Sequence, residues 1–155
     1  RAINVQNELG LLYRTAGRPL DSVKAHRQAL SLLEQLPPAI RQTVNARFQH
    51  ARTYNFLGTK VHRGSRKGKG EAAQATELTK AILDELDLSP SELHFQAQKT
   101  LEELIEEDPE NPTYKIELVR CLTNTINASN RSKAMADPWL MWLDAVDILD
   151  ELVKK

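Results

Sequence analysis

Apolar residues recur along the chain at the three- and four-residue spacing of amphipathic helices, and no segment shows the alternation of a β-strand. Glycine and proline divide this pattern, with Gly17 placed to end the first helix and Pro37-Pro38 to end the second. We therefore predict an all-α protein whose short connections make neighbouring helices antiparallel. About seven helices are predicted, over residues 2–16, 20–36, 39–62, 71–86, 91–107, 113–130 and 138–154.

A repeat runs through this helical pattern. In its first copy Leu9, Gly10 and Tyr13 lie on one predicted helix, Gly17 turns the chain, and Ala29 lies on the next helix. Gly10 and Ala29 carry almost no side chain, so we expect two helices to touch there while Leu9 and Tyr13 fill the adjoining space. This arrangement resembles one unit of the tetratricopeptide repeat (TPR) family. The resemblance implies a right-handed α-solenoid of antiparallel helix pairs.

Two further copies of the repeat are weaker. The second has Gly58 on its first helix and Ala81 on its second, and we expect these two residues to be in contact. The third aligns residues 119–125 with the helix of the second copy and has Ile126 in place of the glycine. The helix predicted over 91–107 is then an addition between the second and third copies.

The stretch 101–120, together with Leu9-Gly10 and the Gly17-Arg18-Pro19 turn, is similar to a repeat region of large bacterial serine/threonine kinases. That region follows the kinase domain, notably in planctomycetes. The resemblance implies that residues 1–155 form one domain of a longer, cytoplasmic signalling or regulatory protein. The chain contains no glycine-rich nucleotide loop, no His-Arg-Asp and no Asp-Phe-Gly, so we expect that it is not itself an enzyme.

Composition argues against several classes of function. The 155 residues include 21 Lys and Arg against 21 Asp and Glu, so net charge does not favour nucleic acid or a membrane surface as partner. No apolar run approaches the ~20 residues that span a bilayer. A single cysteine, Cys121, and four histidines without partners at i+4 argue against a metal site. We expect no cofactor and no metal.

Charge is unevenly distributed along the chain. Residues 39–70 hold eight Lys or Arg and no acid, whereas residues 71–110 hold twelve Asp or Glu and two Lys. Either the adjacent helices neutralise each other, or the surface has a basic side and an acidic side. The glycine-rich basic segment 64–70 lacks the spacing of a phosphate-binding loop. It fits a solvated loop, or a docking loop for an acidic partner.

The resemblance also implies a ligand groove, because the first helix of each tetratricopeptide unit lines the concave face. The positions that map to this face are rich in Asn and Arg. Asn amides can bond the N–H and C=O groups of a peptide, and Arg can fork onto carboxylates or phosphates. We therefore expect a scaffold domain that binds an extended or helical peptide with acidic or phosphorylated groups. The candidate peptide-binding residues are Asn7, Arg52, Asn55, Arg63, Arg120, Asn124, Asn127 and Arg131.

The last predicted helix is apolar on more than one face. Its tryptophans share a stripe that can pack on the preceding helix, which leaves part of the other face for a further contact. We expect this end to pair with a second copy or to continue into another repeat; the alternative is that the helix buries itself fully. The candidate self-association residues are Trp139, Met141, Trp142 and Ile148. A spacer or homodimerisation domain without a peptide ligand is therefore the alternative function.

Overall fold

The structure of the chain is a computed structural model that describes residues 1–59, 69–129 and 138–154. These ranges form eight α-helices and contain no β-strand, which confirms the all-α prediction. None of the described helices is both long enough and apolar enough to cross a membrane. Most of the basic segment 64–70 lies outside the described ranges. The helices are α1 (Ala2–Thr15), α2 (Pro19–Glu34), α3 (Pro38–Arg41), α4 (Val44–Leu57), α5 (Lys69–Leu86), α6 (Pro90–Glu107), α7 (Pro112–Ser129) and α8 (Pro138–Val153).

Local sequence determines where several helices begin and end. The turn after α1 uses Gly17 with a φ of +70°, a conformation that only glycine adopts without strain. At the start of α6 the Ser89 hydroxyl accepts a hydrogen bond from the Glu92 backbone N–H, and the Glu92 carboxylate accepts one from the Ser89 N–H. The helix predicted over 39–62 is divided into α3 and α4, because the Thr43 side chain caps a new helix.

The helices form three pairs, α1 with α2, α4 with α6, and α7 with α8. We call each pair a hairpin, although α5 lies between α4 and α6 in the chain. The pairing of α4 corrects the prediction that Gly58 contacts Ala81. A Cβ atom at Gly58 would lie 2.9 Å from the Pro90 carbonyl oxygen and 3.1 Å from the His94 ring, both on α6. Ala81 is exposed on α5, which packs against α2. The chain returns from α5 to a point beside Gly58, so α5 rather than α6 is the added helix.

The observed pairing reveals a repeat that the sequence analysis missed. The second helices of the three hairpins share the pattern Ala, three residues, Leu, an acid, any residue, Leu. It begins at Ala29 in α2, Ala97 in α6 and Ala145 in α8, and all three alanines are buried. In the first two helices a histidine precedes the alanine by three residues. These histidines lie against the glycines of the first helices: His26 is nearest to Gly10, and His94 lies beside Gly58 together with the Pro90 carbonyl oxygen.

Successive hairpins are joined through the second helix of one and the first helix of the next. Thus α2 packs on α4, and α6 packs on α7. The first helices α1, α4 and α7 also contact one another in that order, so they share one side of the molecule. The apolar core between the hairpins includes Leu30, Leu57, Ile82, Leu101 and Leu122.

Candidate functional site

The predicted peptide-binding residues lie on the side of the molecule that α1, α4 and α7 share. Asn7 belongs to α1, Arg52 and Asn55 belong to α4, and three further residues belong to α7. The α7 residues Arg120, Asn124 and Asn127 follow each other at i, i+4 and i+7, so they form one line along the helix, called here the α7 stripe. Arg63 and Arg131 lie outside the described residues.

Asn7 joins α1 to α2 and α4 through a buried hydrogen-bond network. Its amide nitrogen donates to the Gln49 backbone oxygen at 3.2 Å and to the Gln49 side-chain oxygen at 3.0 Å. Its amide oxygen accepts a hydrogen bond from the Thr53 hydroxyl at 3.0 Å and lies 3.2 Å from Nδ1 of His26. Asn7 is fully buried, so its hydrogen-bonding groups serve the contact between hairpins and do not face solvent.

Two histidines fill the space beside the glycines of the first helices. The His26 ring lies against Gly10 and stacks on Phe56, with ring centroids 4.6 Å apart. Burial, together with the positive charges of Arg14 and Arg52, lowers the pKa of His26 to about 3. Burial likewise lowers the pKa of His94 to about 4. Both imidazoles are therefore neutral packing groups at physiological pH.

Arg52 lies in an ion cluster that links the three first helices. Its guanidinium is 2.8 Å from a Glu8 carboxylate oxygen on α1 and 3.4 Å from a Glu117 oxygen on α7, and it donates to the Asn4 amide oxygen at 3.2 Å. The same Glu117 oxygen accepts a hydrogen bond from Arg120 at 2.7 Å. Because the Arg52 side chain is only 6% exposed, its charge is balanced by these carboxylates and is not available to a ligand in solvent.

Asn55 and Asn124 form the next link between α4 and α7. The Asn124 amide nitrogen donates to the Asn55 amide oxygen at 2.9 Å. Asn55 is fully buried, whereas Asn124 is partly exposed and Asn127 is exposed. The structure therefore corrects the expectation that all the predicted residues face a ligand. Asn7, Arg52 and Asn55 hold the hairpins together, and the α7 stripe remains at the surface.

Sequence reasoning missed the carboxylates of this side of the molecule. It mapped Asn and Arg to this face, but Glu8 and Glu117 lie beside the arginines. One local signal was available, since Glu117 precedes Arg120 by three residues on a predicted helix, a spacing at which ion pairs form. No local signal connects Glu8 or Glu117 with Arg52, because the three residues belong to three different helices.

The cysteine and the titratable groups of the described residues do not form a recognisable nucleophilic or metal-binding site. Burial and the nearby Glu117 carboxylate raise the pKa of the Cys121 thiol to about 12, and the thiol contacts the His94 carbonyl oxygen. Such a thiol stays protonated and is a poor nucleophile at neutral pH. Within the described ranges, no three His, Cys, Asp or Glu side chains come together as metal ligands would.

The C-terminal helix has two apolar faces. Met141 and Ile148 are partly buried against the core, together with the fully buried Ala145, so the expectation that Met141 and Ile148 face outward is wrong. The sequence pattern predicts that Trp142 lies on the stripe that packs on the preceding helix, but it is about half exposed. The Trp139 side chain lies outside the described part of the structure.

No protein-family model matches the chain, and neither the curated proteins nor the solved structures contain a significant match. Function is therefore inferred from the contacts described above.

Proposed function

We propose that the chain is a non-catalytic, tetratricopeptide-like interaction domain that binds a peptide segment along the side formed by α1, α4 and α7. The observation that carries the proposal is the α7 stripe of Arg120, Asn124 and Asn127. It presents one cation and two amides to solvent beside a buried polar network that holds their helix in place. Rigidly held groups lose little entropy when they bind a ligand.

Three hairpins with a shared motif support an α-solenoid architecture, with the right-handed superhelix typical of the tetratricopeptide family. In such an array each hairpin contacts its neighbours, and the first helices form a continuous surface. The resemblance to the repeat region of bacterial kinases supports the proposal that the domain belongs to a larger cytoplasmic signalling or regulatory protein, where it recruits a partner.

The chemistry of the α7 stripe indicates a peptide with an acidic or phosphorylated group. The Asn124 carbonyl oxygen can accept a peptide N–H while its amide nitrogen stays bonded to Asn55, and the exposed Asn127 amide can bond both peptide groups. Arg120 keeps donors beyond the one that binds Glu117, and these can bind a carboxylate or phosphate. Because Glu117 and Glu8 lie nearby, we expect modest affinity.

Selection of binders from a random peptide library on the full chain, followed by affinity measurement, tests this proposal. We expect the selected peptides to carry acidic residues, and we expect Arg120→Glu to weaken binding by at least roughly tenfold, which corresponds to about 1.4 kcal/mol. Added salt should also weaken binding.

Arg27→Glu is the matched control for Arg120→Glu. Arg27 is comparably exposed and is also ion-paired, but it lies on α2 and contacts Glu85 of α5. Its reversal should leave affinity within about twofold. Selection of basic or purely apolar peptides, or an equal loss of affinity in both variants, would contradict the proposal.

A further inference from the structure

An apolar line on α8 is left without a covering helix in the described residues. Trp142, Val146, Leu149 and Val153 follow each other at i, i+4, i+7 and i+11, so they lie on one face of the helix. This α8 stripe is between 44% and 84% exposed, residue by residue. Four large apolar side chains in one exposed line are unusual on a monomer and are typical of a helix-packing surface.

The other hairpins show what covers the same face. In the motif shared by the second helices, Leu149 occupies the position of Leu33 in α2 and of Leu101 in α6. Leu33 is 3% exposed and Leu101 is 0% exposed, whereas Leu149 is 45% exposed. The helices that bear Leu33 and Leu101 each pack on the first helix of the following hairpin. The α8 stripe therefore corresponds to the face on which the first helix of a following hairpin packs in the other two hairpins.

A first helix with the complementary face uncovered is present in the chain. Aligning the Asn-x-Leu-Gly segments of α1 and α4 places Val5 at the position of Thr53. Thr53 is 0% exposed and its hydroxyl donates to Asn7 on α1, in the preceding hairpin, which α4 also contacts through α2, whereas Val5 is 51% exposed. Val5, Leu9 and Leu12 lie at i, i+4 and i+7 and form an α1 stripe, of which Leu9 is half-buried.

We infer that two copies of this chain associate head to tail, with the α1 stripe of one copy packed on the α8 stripe of the other. The contact repeats between molecules the packing that α4 makes on α2 and α7 makes on α6 within one molecule. Because the two surfaces differ, the contact is heterologous, and each added copy offers a fresh α8 stripe. Association then continues beyond a dimer unless the geometry closes a ring.

Charge favours this pairing over a symmetric pairing of two α8 helices. Asp150 is exposed beside Val146 and Val153 at the edge of the α8 stripe, so two copies of that helix would bring these like charges together. The α1 helix carries only Glu8 against Arg14 and follows Arg1, so it does not repel α8. The inference is independent of the proposed peptide ligand, which engages the α7 stripe instead.

Sedimentation velocity of the full chain over a range of concentrations tests the inference. We expect the average mass to rise with concentration past that of a dimer. Val5→Glu on the α1 stripe and Leu149→Glu on the α8 stripe should each weaken self-association by at least roughly tenfold, because each buries a charge at an apolar contact. Ile116→Glu, a substitution of an equally exposed apolar residue on α7, should leave association unchanged.

Mixing the two variants separates head-to-tail from symmetric pairing. The Val5→Glu copy keeps its α8 stripe and the Leu149→Glu copy keeps its α1 stripe, so an equimolar mixture should form a dimer and nothing larger. Circular dichroism melts establish that each variant is folded, and Val146→Glu replaces Leu149→Glu if that variant is not. A wild-type monomer at all concentrations, or undiminished association of Val5→Glu alone, would overturn the inference.

Discussion

At the residue scale, a glycine of the first helix meets a histidine of the second helix in two of the three helix pairs. Gly10 lies against the His26 ring, and Gly58 lies against His94. The imidazole fills the volume that the glycine leaves, and its neutral form suits a buried site. His26 is fixed further by its stacking on Phe56 and its contact with the Asn7 amide oxygen.

This packing predicts that Gly10→Ala destabilises the protein. Alanine is the better helix former by about 1 kcal/mol, but its methyl group would overlap the His26 ring, which has no room to move. We expect a net loss of about 1–3 kcal/mol from overpacking, measured by urea denaturation. Gly70→Ala in α5 is the control, since nothing lies within 4 Å of the new methyl group, and it should be neutral or slightly stabilising. Equal stability of the two variants would show that Gly10 does not face His26.

The buried histidines also predict how stability depends on pH. In the folded protein the pKa of His26 is about 3 and that of His94 is about 4, whereas both lie near 6.5 in the unfolded chain. Above pH 6.5 both states are neutral and stability is unaffected. As pH falls below 6.5 the two histidines bind protons in the unfolded chain but stay neutral in the folded protein. The free energy of unfolding therefore falls by up to about 1.4 kcal/mol per pH unit for each histidine.

The urea midpoint should therefore be lower at pH 5 than at pH 7, and the imidazole NMR signals of His26 and His94 should stay in their neutral positions at both. The pKa values of most carboxylates are too low to produce this change in that pH range. Signals from both histidines that titrate near pH 6.5, with a constant urea midpoint, would mean that the rings are accessible.

At the element scale, the helices were predictable and one of their pairings was not. The glycine at position 17 and the capping box at Ser89 act within a few residues, so the sequence shows where those helices end and begin. The partner of α4 depends on distant contacts instead. Ala81 and Ala97 both follow Gly58 on later helices, but Ala81 is exposed on α5, which contacts α2, whereas Ala97 is buried on α6, which contacts α4.

The same limit applies to the candidate site. The sequence predicts which residue types line α1, α4 and α7, because the positions of each helix can be read from the repeat motif within that helix. It does not predict that Arg52 is neutralised by Glu8 and Glu117, since these acids come from other helices. Burial of a charged side chain is determined by its partners, and those partners become visible only when the helices are assembled.

The pairing of α4 with α6 makes a direct prediction for two alanines. Ala97→Leu should destabilise the protein by about 1–3 kcal/mol, because Ala97 is 0% exposed on α6 and a larger side chain has no space there. Ala81→Leu should change stability by less than about 0.5 kcal/mol, because Ala81 is exposed on α5. Thermal and urea unfolding measure both. The reverse order would support the pairing of α4 with α5.

At the scale of the whole molecule, the uneven charge of the sequence is partly neutralised by contacts between helices. Arg47 of the basic stretch 39–70 binds Glu107 of the acidic stretch 71–110 at 2.7 Å, and Arg27 of α2 binds Glu85 of the same acidic stretch at 2.7 Å. These pairs favour mutual neutralisation over separate basic and acidic sides. The proposed peptide contact uses the polar α7 stripe, and the proposed self-association uses apolar residues of α8 and α1, so the two proposed contacts use different surfaces.

The central claim is that a peptide binds along the α7 stripe. An NMR titration of the isotope-labelled full chain with a selected acidic peptide tests it most directly. We expect the largest shift changes at Arg120, Asn124 and Asn127, including the two side-chain amides, with small changes on α5. Shift changes confined to α5 or to the α8 stripe, with the α7 stripe unaffected, would contradict the claim.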